Sequence, residues 1–139
     1  MSYLIDTNVI SELRKRDRCS ANVSAWYQNV AGDDLFLSVL TLGEIRRGIE
    51  SISRRDTSSA RALEVWFAKL LVNHRARILP VTEPVAEEWG RFNVPDPLPV
   101  IDGLLAATAK VHGLTLVTRN VSDVEATGIP VINPFELKP

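Results

Sequence analysis

The sequence is poor in the residues that build thiol and imidazole sites, since Cys19 is the only cysteine and His74 and His112 are the only histidines. A single cysteine excludes an internal disulfide and a cysteine-rich metal site, and it fits a protein kept in a reducing compartment. Both histidines lie near the carboxyl ends of predicted helices, where contact with the helix dipole is their expected role. Neither is a strong candidate for a general base.

Charge of one sign and long apolar runs are also missing. Sixteen basic and seventeen acidic residues give a formal net charge of −1, so any contact with nucleic acid would rely on local clusters. No apolar run approaches the roughly 18 residues of a membrane-spanning helix. Asp6 also falls where a signal peptide would have its basic and apolar segments. We therefore expect a cytoplasmic protein with no membrane contact.

Short apolar runs alternate with segments of helical spacing along the whole chain. The predicted strands are 3–5, 35–39, 78–81, 114–117 and 130–132, the last at a sheet edge. The predicted helices are 7–13, 23–31, 41–52, 83–92 and 101–112, together with an apolar stripe formed by Leu63, Trp66, Phe67, Leu70 and Leu71. This alternation predicts an α/β fold with a five-stranded, mainly parallel sheet flanked by helices on both faces. No repeat or compositional shift marks a second domain, so residues 1–139 are expected to form one domain.

Four acidic residues fall where such a sheet collects its ligands, outside the carboxyl ends of the strands. Asp6 directly follows the first strand, and Glu44 lies in the first turn of the helix after the second strand. Asp102 opens the helix before the fourth strand, and Asp123 follows that strand by a few residues. Carboxylates gathered at one edge repel each other unless a cation lies among them. Mg²⁺ and Mn²⁺ prefer oxygen ligands, so the pattern predicts a site for one of these ions.

Each acid also has a purely structural explanation. Asp6 fits the N-cap position of the following helix, and Thr41 with Glu44 has the spacing of a capping box. Asp102 would complement the positive end of its helix dipole. Asp123, three residues after Asn120, would belong to the first turn of a short helix that ends before Gly128. No single acid is diagnostic, and their joint placement is what favours the metal site.

Basic and polar side chains accompany the acids. The candidate ligands for a substrate phosphate are Arg46, Arg47 and Arg119, each of which fits equally well a surface cation that is solvated or paired with a nearby acid. The candidates for hydrogen bonds to the carboxylates are Thr7, Asn8 and Thr118, which would serve equally as local turn residues. The basic run RKRDR, residues 14–18, is interpreted as an exposed helix end.

The chain resembles the PIN-domain family, and within it the VapC and FitB type of toxin from bacterial toxin–antitoxin pairs. The matching stretches are YLIDTNVISEL, LSVLTLGEIRRGI, PLPVIDGLLAATAKVHGLTLVTRN and GIPVINPF, spread from residue 3 to residue 135. The resemblance implies a five-stranded parallel sheet between helices and a Mg²⁺- or Mn²⁺-dependent ribonuclease. The family's acidic positions are matched by Asp6, Glu44 and Asp102, and its less strictly patterned fourth position by Asp123. Asn120 lies where some relatives place a further acid.

From this resemblance we expect a mechanism and a set of partners. Asp6 and Asp102 would bind the principal ion, and Glu44 and Asp123 would complete or orient its coordination. A metal-activated water would then hydrolyse an RNA phosphodiester, leaving a 5′-phosphate and a 3′-hydroxyl. The family also implies a homodimer and a cognate antitoxin whose segment fills the acidic groove, with operator DNA as a further partner of the complex.

Two other functions fit part of the pattern. The stretch DTNVI superficially resembles phosphohydrolases that use the first aspartate of an Asp-x-Asp motif as a nucleophile. Asn8 replaces the second aspartate, which removes the acid/base group that such chemistry needs. A non-catalytic module that keeps the fold and binds metal or nucleic acid is the other alternative.

Overall fold

Five strands form one sheet in residues 1–137, the part of the chain that the computed structural model describes. The strands are β1 (Tyr3–Ile5), β2 (Leu35–Ser38), β3 (Ile78–Leu79), β4 (Thr115–Val117) and β5 (Val131–Ile132). Their order is β3-β2-β1-β4-β5, and every neighbouring pair is parallel. The predicted five-stranded parallel sheet is confirmed, with β5 at an edge. Residues 138 and 139 of the predicted domain lie outside the described residues.

Seven α-helices connect the strands in this part of the chain. They are α1 (Thr7–Leu13), α2 (Ala21–Gln28), α3 (Val39–Ser53), α4 (Thr57–His74), α5 (Glu83–Phe92), α6 (Val100–His112) and α7 (Val121–Val124). Both histidines are the last residues of their helices, as predicted, and Gly113 ends α6 with a left-handed φ of 66°. No helix within residues 1–137 has the length and hydropathy needed to cross a membrane.

Two helices begin earlier than predicted because serines cap them. The Ser38 hydroxyl accepts a hydrogen bond from the Leu40 N–H at 3.1 Å, so β2 ends at Ser38 and α3 begins at Val39 rather than at residue 41. The Ser20 hydroxyl accepts from the Val23 N–H at 3.4 Å, and α2 therefore begins at Ala21 rather than at residue 23. An N-cap serine marks the true start of a helix, and both serines precede the apolar residues on which the predicted boundaries were based.

Side chains of the central strands alternate between two apolar layers. Ile5 and Val117 pack with residues of α1, α2, α3 and α4, including Phe67 from the predicted apolar stripe. Leu4 and Leu116 point the other way and pack with residues of α6 and α7. Because the sheet is covered on both faces, its strands are apolar throughout, as is typical of parallel sheets. The predicted helices on both faces are confirmed.

The proline-rich segment before α6 fixes where that helix begins. The Asn93 side chain accepts a hydrogen bond from the Leu98 N–H at 2.8 Å and donates to the Trp89 carbonyl at 2.7 Å, which ties the segment to α5. The indole of Trp89 lies so close to α6 that a Cβ added at Gly103 would be 3.2 Å from its Cδ1. The start of α6, and with it Asp102, is therefore set by contact with α5.

Candidate active site

Asp6 lies directly after β1 at the carboxyl edge of the sheet, and it is only 5% exposed. Its backbone N–H donates to the Val117 carbonyl at 2.9 Å, which ties it to the end of β4. Its Oδ1 accepts from the Thr7 N–H at 2.7 Å, so the predicted N-cap contact exists. Its Oδ2 accepts from the Thr118 hydroxyl at 2.7 Å and from the Asn8 amide at 3.2 Å. Three donors therefore fix the orientation of this buried carboxylate.

These donors do not fully offset the cost of burial. Burial raises the pKa of Asp6 above its ordinary value, and the hydrogen bonds from Thr118 and Thr7 act in the opposite direction. The negative charge of Glu44 raises the pKa further, while the hydrogen bond from Asn8 lowers it. The anion is therefore less stable here than in water, and a cation placed beside it would relieve both burial and repulsion.

Glu44 lies in the second turn of α3 because the helix begins at Val39, so its predicted position in the first turn is wrong. The capping-box explanation is wrong for the same reason: Ser38 is the cap, and Thr41 is a buried helical residue. The Glu44 carboxylate is instead held by the Thr7 hydroxyl, which donates to its Oε1 at 2.6 Å. Glu44 is therefore directed toward the end of β1, beside Asp6.

Asp102 lies in the first turn of α6, and its surroundings make it a weak acid. Its pKa is raised to about 6, chiefly by burial and further by the negative charges of Asp6 and Asp123. A hydrogen bond shared with Asp123 also raises the pKa of Asp102, whereas a hydrogen bond with Asn120 lowers it. Two carboxyl groups that share a hydrogen bond favour a state in which one of them keeps its proton. Asp123, on α7, is thus a direct neighbour of Asp102.

The fold brings the four predicted acids to one edge of the sheet. Glu44 acts on the pKa of Asp6, and both Asp6 and Asp123 act on that of Asp102. Yet within residues 1–137 no three histidine, cysteine, aspartate or glutamate side chains are close enough together to hold a metal ion as they are placed. The donors are carboxylate oxygens, which are the ligands that Mg²⁺ and Mn²⁺ prefer, so the residues fit such an ion in kind.

The predicted polar neighbours all contact the carboxylates or one another. Thr7 bonds to Glu44, while Asn8 and Thr118 bond to Asp6. Asn8 also donates to the Thr118 hydroxyl at 3.4 Å, so the two residues that hold Asp6 brace each other. This network joins the end of β1 to the end of β4, which are the two strands at the point where the strand order reverses.

The three candidate arginines differ in what holds them. The Arg46 guanidinium bonds to both carboxylate oxygens of Glu64 on α4 and lies over the Phe67 ring, 5.3 Å from its centroid. Arg47 is exposed. Arg119 is also exposed, and its guanidinium carbon lies 3.8 Å from the centroid of the Phe135 ring. The run at residues 14–18 is fully exposed and follows the end of α1, as predicted.

Two contacts near the site have no counterpart among the predicted roles. The sequence marks Asn120 as a position where some relatives place an acid, but in the structure its side chain lies near Asp102 and lowers the pKa of that carboxyl, against the effect of burial. Phe135 occurs in the quoted stretch GIPVINPF, where no role was predicted for it, and it stacks on Arg119. Nothing local in the sequence marks either contact, because each joins residues more than ten positions apart.

Comparisons with known proteins extend over most of the chain. The PIN domain family model matches residues 3–122. "Toxin FitB" of Neisseria gonorrhoeae is 33% identical over 139 residues, covering 95% of this chain and 97% of the relative. "VapC ribonuclease Y4jK" of Sinorhizobium fredii is 33% identical over 140 residues, covering 96% and 97%. The solved structure of FitAB bound to the IR36 DNA fragment matches with a TM-score of 0.88 at 31% identity, covering 99% of this chain and 98% of that one. With a parallel sheet whose central strands end among four acids, and with sequence and fold matched along nearly their full length, the chain belongs to the PIN-domain family.

Proposed function

We propose that this protein is a Mg²⁺- or Mn²⁺-dependent endoribonuclease that acts as the toxin of a toxin–antitoxin pair. Membership of the PIN-domain family supports the proposal, as do relatives named "Toxin FitB" and "VapC ribonuclease Y4jK". The observation that carries it is a set of four carboxylates that act on one another at the sheet edge, namely Asp6, Glu44, Asp102 and Asp123. Repulsion among these groups is a cost that a divalent cation would remove.

Asp6 and Asp102 would hold the principal ion, and Glu44 and Asp123 would complete or orient its coordination. A bound divalent ion polarises a phosphoryl oxygen and lowers the pKa of water toward neutrality. A carboxylate offers about four lone-pair directions, and Asp6 uses three of them for Thr7, Thr118 and Asn8. One lone pair of the Asp6 carboxylate therefore remains for a metal ion, and the three hydrogen bonds fix its orientation.

The other side chains orient the reacting groups and control their protons. The Thr7 hydroxyl occupies Oε1 of Glu44, so Oε2 stays available to the site. With a pKa of about 6, Asp102 holds a proton in part of the population near neutral pH. A divalent cation held beside Asp102 would favour loss of that proton, because the carboxylate would then be stable as an anion. Ion binding should therefore strengthen as the pH rises through about 6.

The phosphohydrolase alternative has little support at this site. Asn8 carries no ionisable group, and its amide donates to Oδ2 of Asp6. It therefore provides neither the general acid nor the general base that would accompany an aspartyl-phosphate.

The experiment that tests the proposal is cleavage of defined RNAs by the purified protein with Mn²⁺, with Mg²⁺ and with excess EDTA. The Asp6→Asn variant removes a ligand, and Asp96→Asn, in the exposed segment before α6, is its matched control. We expect metal-dependent cleavage that leaves 5′-phosphates, is lost in Asp6→Asn and is kept in Asp96→Asn. Cleavage that persists in EDTA or in Asp6→Asn would contradict the proposal. Metal-dependent RNA binding without cleavage would favour the non-catalytic module.

We further propose a cognate antitoxin as the partner, with the toxin acting as a homodimer in the cytoplasm and the complex binding operator DNA. The name "Toxin FitB" and the solved structure of FitAB bound to a DNA fragment support the antitoxin partner and the contact with DNA. An antitoxin segment that carries a cation would suit the acidic edge that Asp6 and Asp102 form. Co-expression with the neighbouring genes should yield a second chain that suppresses cleavage. Repeated purification of an active, unpartnered protein would count against it.

A further inference from the structure

Arg119 lies at the rim of the acidic site, and its guanidinium is stacked on an aromatic ring. Its backbone N–H donates to Oδ1 of Asn8 at 3.1 Å, and the amide of Asn8 donates to Oδ2 of Asp6 at 3.2 Å. The backbone of Arg119 is therefore linked to the Asp6 carboxylate through Asn8, by two successive hydrogen bonds. Its guanidinium carbon is 3.8 Å from the Phe135 ring centroid, which is close enough for one face of the guanidinium to be covered by the ring.

The Phe135 ring is itself held in place. It is partly buried and packs against the apolar cluster that lies between the sheet and helices α1 to α4. The Phe135 carbonyl accepts a hydrogen bond from the Asn22 amide at 2.8 Å, and the Phe135 N–H donates to Oδ1 of Asn133 at 3.0 Å. Packing and these backbone hydrogen bonds therefore hold Phe135 in place, and the ring in turn positions the guanidinium that stacks on it.

Comparison with Arg46 shows what is unusual about Arg119. Arg46 also lies over a phenylalanine ring, but both of its terminal nitrogens bond to Glu64. No hydrogen bond or ion pair engages the guanidinium of Arg119 among the side chains of residues 1–137. Glu12, the acid of α1, forms its hydrogen bonds with the Ser20 N–H and Lys15, which lower its pKa, and it is near enough to Arg119 for that charge to lower the pKa further. The N–H edge of Arg119 therefore remains available to an outside anion.

A guanidinium with one face covered and its edge free is suited to bidentate contact with a phosphate. We propose that Phe135 is a positioning residue that holds Arg119 so that its N–H edge grips an RNA backbone phosphate next to the scissile bond. This inference rests on the proposed function, since it names the group that places the substrate at the same site. Phe135 acts only through Arg119 and touches no reacting atom.

The test measures binding of a labelled single-stranded RNA in EDTA and in Ca²⁺, so that binding is read separately from Mg²⁺- or Mn²⁺-supported cleavage. Arg119→Ala should weaken binding about tenfold, as loss of a charge-assisted contact predicts, and should reduce the salt dependence by about 0.7 of a logarithmic slope unit. Phe135→Leu keeps an apolar side chain but removes the ring, and should weaken binding about threefold. Phe135→Tyr keeps an aromatic ring and should bind the RNA as tightly as the unaltered protein. Arg61→Ala, an exposed arginine of α4, is the control for charge alone.

The double variant Arg119→Ala/Phe135→Leu tests whether the ring acts through the arginine. If Phe135 acts through Arg119, then Phe135→Leu has no further effect on RNA binding in the Arg119→Ala background. An equal loss in both backgrounds would overturn the inference, because the ring would then act by itself. In cleavage assays, Phe135→Leu should raise KM and leave kcat nearly unchanged, while a fall in kcat alone would also contradict the inference.

Two further outcomes are separable. RNA binding with this pattern of coupling but without cleavage would refute the proposed nuclease and leave the role of Phe135 intact. Failure of the unaltered protein to bind RNA in either buffer would refute the role of Phe135. Should Phe135→Leu not fold, as judged by circular dichroism, the ¹H–¹⁵N signal of the Arg119 Nε–H in the unaltered protein provides the measurement. It should shift on addition of RNA, and an unmoved signal would contradict the inference.

Discussion

Replacing Asp102 with asparagine should stabilise the metal-free protein while removing its response to Mn²⁺. The pKa of Asp102 is raised from 3.8 to about 6, a difference of 6 − 3.8 or about 2.2. Because one pKa unit corresponds to about 1.4 kcal/mol, the charged form would cost about 3 kcal/mol if no solvent reached it. Asp102 is only partly buried, so screening reduces this to about 1 kcal/mol. For a chain of this size, that gain raises Tm by about 3 °C.

The direction of the pH dependence follows from the raised pKa. The folded protein binds the Asp102 proton more tightly than the unfolded chain does, so this group contributes stability that is fully present below pH 3.8. That contribution is lost as the pH rises through about 6. In EDTA, the difference in stability between Asp102→Asn and the unaltered protein should therefore be small at pH 4 and largest at pH 8.

Urea unfolding at pH 5 and pH 8, in EDTA and in Mn²⁺, measures both effects. A ligand present at a hundred times its Kd adds about 2.7 kcal/mol to the free energy of unfolding. The unaltered protein and the Asp96→Asn control should show such a gain in Mn²⁺, and Asp102→Asn should lose most of it. An Asp102→Asn variant that is less stable than the unaltered protein in EDTA at pH 8 would refute the reasoning, as would an undiminished response to Mn²⁺.

Three other substitutions probe the supports of the site. Gly103→Ala should lower stability by about 1 kcal/mol and reduce kcat, because the new Cβ would lie 3.2 Å from the indole of Trp89 on α5. Gly90→Ala is its matched control: a Cβ at Gly90 would meet no other atom of residues 1–137 within 4 Å, so this variant should raise stability by about 0.5 kcal/mol. Thr118→Val removes a donor from buried Asp6, and should cost about 2 kcal/mol in EDTA and weaken Mn²⁺ binding. Thr41→Val replaces a buried hydroxyl that finds no hydrogen-bond partner among residues 1–137, and should stabilise the protein by about 1 kcal/mol without affecting cleavage.

Each of these substitutions is checked by urea unfolding together with cleavage of one defined RNA. Equal effects of the two glycine variants would contradict the packing argument for the start of α6. Unchanged Mn²⁺ affinity in Thr118→Val would show that orientation of Asp6 does not limit ion binding. Loss of stability in Thr41→Val would mean that its hydroxyl finds a partner in solution, such as an internal water.

The sequence predicts the five-stranded sheet correctly, because short apolar runs that alternate with segments of helical spacing are typical of a parallel sheet covered by helices. It predicts the convergence of the acids because parallel strands place their carboxyl ends together. Local spacing predicts the wrong role for Glu44, because a capping box can be assigned only when the first residue of the helix is known. Ser38 caps α3, so the helix begins at Val39 and Thr41 is not its cap. It cannot reveal the Arg46–Glu64 pair or the Arg119–Phe135 stack either, because each depends on how distant elements pack.

Two explanations of Asp102 predict opposite shifts of its pKa. An aspartate in the first turn of a long helix is stabilised as an anion by about 0.3 to 1 kcal/mol, which lowers its pKa. The pKa of Asp102 is instead raised to about 6 by burial and by the charges of Asp6 and Asp123. The net shift is therefore opposite in direction to the one that the dipole of α6 would produce, so burial and repulsion outweigh the dipole at this residue. Complementing the dipole of α6 therefore does not account for an acid at this position, whereas the proposed cation beside Asp6 and Asp123 would.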